Sequence, residues 1–210
     1  MAAKPGIGGE GGFAYHQEYL DRAAAAALAG DVRAILSEAP AYTAHMPRTG
    51  HPLSVRMTNC GPLGWFTDRE RGYRYIDRHP ETGAPWPAIP PALLDIWDAV
   101  GGYRAPPEAC LVNLYGPETK LGLHIDQDED APDAPVVSVS LGDTAVFRLG
   151  GPERKSPTRT MRLSSGDVVV LGGAARHWYH GVDRILPGTS TLLPDGGRIN
   201  LTMRRVTRPA

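Results

Sequence analysis

Between Ala109 and Val206 the chain is cut into short apolar runs by turn residues, and this pattern constrains the fold more than any other feature. Val137, Val139 and Leu141 alternate with Ser138 and Ser140, the period of a strand with one apolar face. Gly142-Asp143 then reads as a turn into Ala145–Leu149. Arg159–Leu163, the turn Ser165-Gly166-Asp167 and Val168–Leu171 follow, ended by Gly172-Gly173. Ala109–Asn113 and Arg198–Val206 bracket the set as first and last strands. Many short strands joined by glycine turns predict a sandwich or jelly roll. The counts of 25 Gly and 20 Pro fit turns and strands better than a helical bundle.

The front of the chain differs. Met1–Gly12 is glycine-rich and polar, which predicts a disordered tail and no secretory leader. Tyr15–Glu38, with alanines 23–27, predicts a helix that Gly30-Asp31 divides. Residues 40–91 interleave Trp65, Phe66, Tyr73, Tyr75 and Trp86 with Arg69, Arg71, Arg74 and Arg78. Rings can stack on bases and guanidiniums can meet phosphates, although a solvated hairpin with core aromatics has the same composition. Pro91–Val100 predicts a short helix stopped by Gly101-Gly102. At 210 residues the chain fits one domain, with residues 13–108 as a helical and recognition part and 109–210 as the β core. The net charge of −1 means that any nucleic-acid partner must be held by a local basic patch. No apolar run approaches the roughly 18 residues of a membrane span. Cys60 and Cys110 form neither a disulfide framework nor a Cys-x-x-Cys pair, so a cytoplasmic, reducing setting is expected.

In Leu121–Asp126, His124 and Asp126 are two apart and would share one side of a strand. Alone, such a pair is also what a solvent-facing strand looks like. His180, in Arg176-His177-Trp178-Tyr179-His180-Gly181, can complete two histidines and one carboxylate, the facial set of non-haem Fe(II) oxygenases. His177 competes for that place. In the last strand Arg198, Asn200, Thr202 and Arg204 share one face. If that face is buried, its guanidiniums need anions, and a dicarboxylate ligand would supply them. Asn113 and Tyr115 would present a carboxamide and a phenol to the same ligand.

Five segments together resemble the AlkB family of Fe(II)- and 2-oxoglutarate-dependent dioxygenases, closest to its bacterial members. They are Asn113-Leu114-Tyr115, Leu123–Asp126, Val137–Gly142, Tyr179-His180-Gly181 and Arg198–Arg204. Met57–Gly61 and Pro85–Ala88 extend the likeness, which spans roughly residues 50–206. The resemblance implies a mainly β fold with flanking helices, a double-stranded β-helix (jelly-roll) core and an N-terminal helical and substrate-lid extension. It implies Fe(II) held by His124, Asp126 and His180, which carry the catalysis. Asn113, Leu114, Tyr115, Arg198, Asn200 and Arg204 would bind 2-oxoglutarate, with O2 as the other cosubstrate.

Trp65, Tyr73 and Tyr75 match the family's lid, Asp128 a base-contacting acid and Arg154 a basic residue near the substrate. By the same resemblance Lys120 would fall near a phosphate. Leu171, Ala175 and His177 depart from the pattern of well-known members, which bears on substrate preference rather than reaction type. The implied activity is oxidative demethylation of 1-methyladenine and 3-methylcytosine in single-stranded or flipped-out DNA, or in RNA, releasing formaldehyde. A monomer without an obligate protein partner is expected. A dioxygenase acting on a protein or small molecule, and a jelly-roll binding module without catalysis, are the alternatives. The aromatic lid disfavours the first and the arginine row the second.

Overall fold

The computed structural model describes residues 7–209. In chain order the strands are β1 (Ile7–Gly8), β2 (Phe13–His16), β3 (Tyr42–His45), β4 (Pro52–Cys60), β5 (Gly64–Asp68), β6 (Gly72–Ile76) and β7 (Ala109–Tyr115). They continue as β8 (Leu121–His124), β9 (Val136–Gly142), β10 (Thr144–Leu149), β11 (Arg159–Leu163), β12 (Val168–Leu171), β13 (His180–Leu186) and β14 (Arg198–Arg204). The helices are α1 (Arg22–Glu38) and α2 (Pro91–Ile96), the latter continuing as a π turn over Trp97–Gly101. Gly102, at φ 63°, ends that turn as expected.

A large antiparallel sheet has the order β1-β2-β12-β9-β14-β7-β4-β3, a smaller one the order β11-β10-β13-β8, and β5-β6 is a separate hairpin. The large sheet is covered on both faces. Leu28 and Val32 of α1 and Leu93 and Trp97 of the α2 region pack on Val137, Val139, Leu201 and Met203. Leu111, Tyr115, Val169 and Leu171 face Phe147, Leu149, Val182 and Ile185 of the small sheet. This double coverage is the jelly roll that the alternation predicts. The serines opposite Val137 and Val139 line the inner space, where Asn200 Nδ2 donates to Ser138 Oγ at 2.7 Å.

Three expectations for the N-terminal part are corrected. The helix begins at Arg22 rather than Tyr15, because Phe13–His16 is the strand that pairs with β12. There the Tyr15 hydroxyl donates to Asp167 at 2.8 Å. Asp21 provides the start signal, its carboxylate accepting from the Ala24 N–H at 2.8 Å. Gly30 does not divide α1: the helix runs through it, with Leu28, Ala29, Val32 and Ile35 buried on one side. Burial of that stripe outweighs the roughly 0.5–1 kcal/mol a helical glycine costs. Of the segment expected to be disordered, Ile7–Gly8 is a strand paired with β2 and Glu10–Gly12 a 3-10 turn. Met1–Gly6 lies outside the described residues. N-terminal strands thus complete the same sheet as the core: β4 pairs with β7 and β2 with β12.

Candidate metal centre and active site

β8 and β13 run antiparallel and place His124 directly opposite His180. Their approach depends on Gly181, where a Cβ would lie 2.6 Å from the Leu121 carbonyl oxygen. The imidazole centroids are 4.5 Å apart. Asp126 follows two residues after His124, just past the end of β8. Its Oδ1 is 3.7 Å from His124 Nε2 and its Oδ2 3.8 Å from His180 Nε2. One donor atom from each of the three lies within 4.8 Å of the others. His177 is exposed and takes no part.

The imidazoles are oriented by the main chain. His124 Nδ1 is 2.9 Å from the Gly122 carbonyl, and His180 Nδ1 is 3.0 Å from that of Trp178. A carbonyl only accepts, so in each ring the proton sits on Nδ1 and the Nε2 lone pair faces the centre. Burial, with a smaller contribution from His124, lowers the His180 pKa to about 4, so this ring is neutral at neutral pH. Burial opposes the charge of Asp126, but Arg204, His180 and His124 together hold its carboxyl well below the usual carboxylate range. Arg204 donates from 2.9 Å to Oδ1. Oδ2 is buried without a hydrogen-bond partner. Two imidazole lone pairs and an unpartnered carboxylate oxygen converging in one small space is an arrangement that a divalent cation satisfies and nothing else present does.

β14 lies between β9 and β7 at the centre of the large sheet, and its Arg198 and Asn200 sit opposite Tyr115 and Asn113. Arg198 is 2% exposed. It donates to Ser140 Oγ at 2.9 Å and to the Leu163 carbonyl at 3.4 Å, while its Nε has no partner. Among the described residues it forms no ion pair. Burial lowers its pKa to about 10, against the opposing influence of Tyr115 and Asp167. A buried guanidinium without an anion is the feature a dicarboxylate would complete. Burial raises the facing Tyr115 phenol to about 12, so it remains a donor.

Two residues of the expected cosubstrate set stand differently. The Asn200 amide is used within the sheet, donating to Ser138 and to the Val139 carbonyl and accepting from Thr202 Oγ1 at 2.9 Å, so it braces the row. The Leu114 side chain packs on the helix-side core, away from the inner space.

The β5-β6 hairpin carries Trp65, Tyr73 and Tyr75, the residues expected of a substrate lid. Trp65 and Tyr73 stack with centroids 5.6 Å apart and planes 27° apart. Trp65 Nε1 donates to Asp128 Oδ2 at 2.9 Å, and the Tyr75 hydroxyl donates to Glu129. The hairpin is therefore fastened to the loop that follows Asp126. Partial desolvation raises the Asp128 carboxyl pKa, the Trp65 hydrogen bond opposing it. Arg154 lies beside the mouth of β8, donating to the Leu123 carbonyl at 3.2 Å. Arg74 is committed to Asp68 and is not a free phosphate contact. Two residues without an expected role stand out: Glu129, in the acidic run after Asp126, and Arg176, which forms a buried ion pair with it at 2.8 Å. Only their burial distinguishes them from surface charges, and burial of a loop residue has no period to read.

A family model described as the 2OG-Fe(II) oxygenase superfamily matches residues 12–204. The chain is 57% identical to an "Alpha-ketoglutarate-dependent dioxygenase AlkB homolog" of Caulobacter vibrioides, over 92% of this chain and 87% of that protein. It is 43% identical to "Alpha-ketoglutarate-dependent dioxygenase AlkB" of Escherichia coli, over 87% of this chain and 85% of that one. Among solved structures, that of OsALKBH1 superposes with a TM-score of 0.77 at 32% identity, covering 96% of this chain and all of that one. With extended similarity in sequence and fold, and a His-Asp-His centre at its heart, the chain belongs to the AlkB family of the 2OG-Fe(II) oxygenase superfamily.

Proposed function

We propose that the chain removes N-methyl groups from cationic bases, 1-methyladenine and 3-methylcytosine, in single-stranded or flipped-out DNA, with RNA as the alternative polymer. The reaction class is oxidative demethylation of alkylated nucleobases by a 2-oxoglutarate-dependent non-haem iron dioxygenase. Fe(II), with 2-oxoglutarate and dioxygen as cosubstrates, supplies the oxidation that turns an N-methyl group into a hydroxymethyl group, which leaves as formaldehyde.

The protein's part is to hold, orient and exclude. His124 and His180 offer Nε2 and Asp126 offers its carboxylate to the metal. Arg198 pairs with the far carboxylate of 2-oxoglutarate, and Tyr115 and Asn113 donate beside it. Arg204 holds Asp126 ionised and supports the chelating end of the cosubstrate. The base enters between Trp65 and His124, with Tyr73 and Tyr75 completing the lid. Removing a base from a duplex costs a few kcal/mol, which single-stranded substrate avoids. Asp128 faces the ring whose methylation makes it cationic, and attraction to that charge separates lesion from normal base. Arg154 is the basic residue near the substrate, and Lys120 would sit near a phosphate.

The observation that carries this reading is the aromatic hairpin fastened to Asp128 and Glu129, beside the metal-binding Asp126. A small-molecule or protein oxygenase has no need of that platform. The test is mass spectrometry of a single-stranded oligonucleotide bearing one 1-methyladenine, incubated with protein, Fe(II), 2-oxoglutarate and air beside a His124→Ala control. Loss of the methyl group with the wild type alone is the expected outcome. Succinate formation without methyl loss would keep the oxygenase and overturn the substrate. We also take the working state to be a cytoplasmic monomer, which sedimentation equilibrium and cell fractionation would check.

A further inference from the structure

Arg176 has no task in that scheme, yet its surroundings are those of a functional residue. It is 2% exposed and lies in the short 3-10 turn that leads into β13. Its guanidinium donates to three groups on one loop. Nη1 donates to the Asp126 carbonyl at 2.6 Å, Nη2 to Glu129 Oε2 at 2.8 Å, and Nε to the Ala134 carbonyl at 2.8 Å. That loop joins β8 to β9 without regular structure. Its backbone pairing begins at Asp130, whose N–H donates to the Val206 carbonyl at 2.8 Å. For residues 125–129, among the described residues, the bond from Arg176 is the one that holds the main chain.

The other end of the link is the second histidine. Arg176 lies two residues before Trp178, the residue whose carbonyl orients His180. One planar fork therefore joins the segment carrying His180 to the segment carrying Asp126. Lysine, with a single ammonium, could not reach three acceptors spread along a loop. Glu129 extends the link. Besides Arg176 it accepts from Tyr75 of the lid and lies 3.4 Å from Arg204 Nε. Arg204 in turn holds Asp126.

We propose that Arg176 is a positioning residue of the metal centre: its fork sets Asp126 against the His180 turn and, through Glu129, ties the lid to the same loop. This rests on His124, Asp126 and His180 being the metal ligands, as read above. The competing account is an arginine that only stitches a loop to the core, which would affect folding and leave the folded site unchanged.

The two accounts separate in Mn(II) affinity, read from the free-ion signal by electron paramagnetic resonance, beside a thermal melt. Arg176→Lys keeps a cation against the buried Glu129 and loses the fork. It is expected to melt cooperatively above the assay temperature and to bind Mn(II) about 10–100-fold more weakly, as outer partners of metal ligands do when removed. If that variant does not fold, the double variant Arg176→Met, Glu129→Gln leaves no unpaired buried charge and is expected to show the same weakening. A folded variant with wild-type Mn(II) affinity would overturn the proposal while leaving the metal site intact. Wild-type protein that binds no Mn(II), or binds it equally after His124→Ala, would overturn the metal site and this inference with it.

Discussion

At the scale of single residues, charge placement decides what the centre can do. Asp128 accepts from Trp65 yet keeps its second oxygen for a ligand. Asp128→Asn should lower kcat/KM on a 1-methyladenine oligonucleotide by about tenfold or more, the worth of a charge-assisted hydrogen bond of about 1.5–3 kcal/mol. Activity on a neutral lesion should change little, and an unchanged ratio between the two lesions would remove Asp128 from the specificity argument. His180 sets a pH dependence. Its pKa is about 4 in the folded, metal-free protein against 6.5 as reference, so the unfolded chain takes up the proton first. Stability of the metal-free protein should therefore fall as pH drops from about 6.5 towards 4, by on the order of 3 kcal/mol, with Asp126 still ionised in that window. Urea midpoints at pH 7 and pH 5 measure the slope, and His180→Gln should flatten it. These residues were legible one by one. His124, Asp126 and Arg198 carry rare chemistry at two-residue spacing, His124 and Arg198 on strands and Asp126 just past the end of β8, whereas His180 was a candidate by residue type rather than by spacing. Glu129 and Arg176 were not legible, since a charged residue in a loop reads as solvated until its burial is known.

At the scale of elements, the centre is a product of strand pairing. β8 is four residues long, and β13 carries a register shift beside His180. Neither shows clean alternation, which is why periodicity marks β9 and β14 but not the strand that delivers the second histidine. What brings β8 and β13 together is Gly181, which leaves room for the Leu121 carbonyl. Gly181→Ala should force these strands apart, weaken Mn(II) binding by at least tenfold and lower Tm, because the conflict is with backbone rather than a movable side chain. Titration and a melt on the same sample would show whether both follow. The N-terminal boundary failed for a related reason. Phe13–His16 is a strand only because β12 offers it an edge, and high helix propensity in the neighbouring alanines obscures a partner more than 150 residues away, His16 pairing with Val168 and Phe13 with Leu171.

At the scale of the whole molecule, two covered faces of one sheet leave a polar seam between the sheets, and that seam is where Arg198, Tyr115 and the metal ligands meet. Mn(II) together with 2-oxoglutarate should bind the folded state alone. At about 100 times Kd that stabilises by about 2.7 kcal/mol, a rise in Tm of roughly 5–10 °C for a chain of this size. Arg198→Ala should abolish the increment due to 2-oxoglutarate and leave the increment due to Mn(II), which differential scanning fluorimetry separates. Loss of both would mean that the arginine supports the fold rather than the ligand.

Strand alternation, turn residues, the His-x-Asp pair and the arginine row are local properties, written in neighbouring side chains, and the sequence by itself determined them. They carry the jelly-roll class and most of the candidate site. Which strands pair, where the first helix starts, which loop charges are buried and how the aromatic hairpin is fastened were decided only by the tertiary structure. Each of these depends on contacts between residues far apart in the chain, and the free energy of such a contact exists only once the sheets have closed on each other.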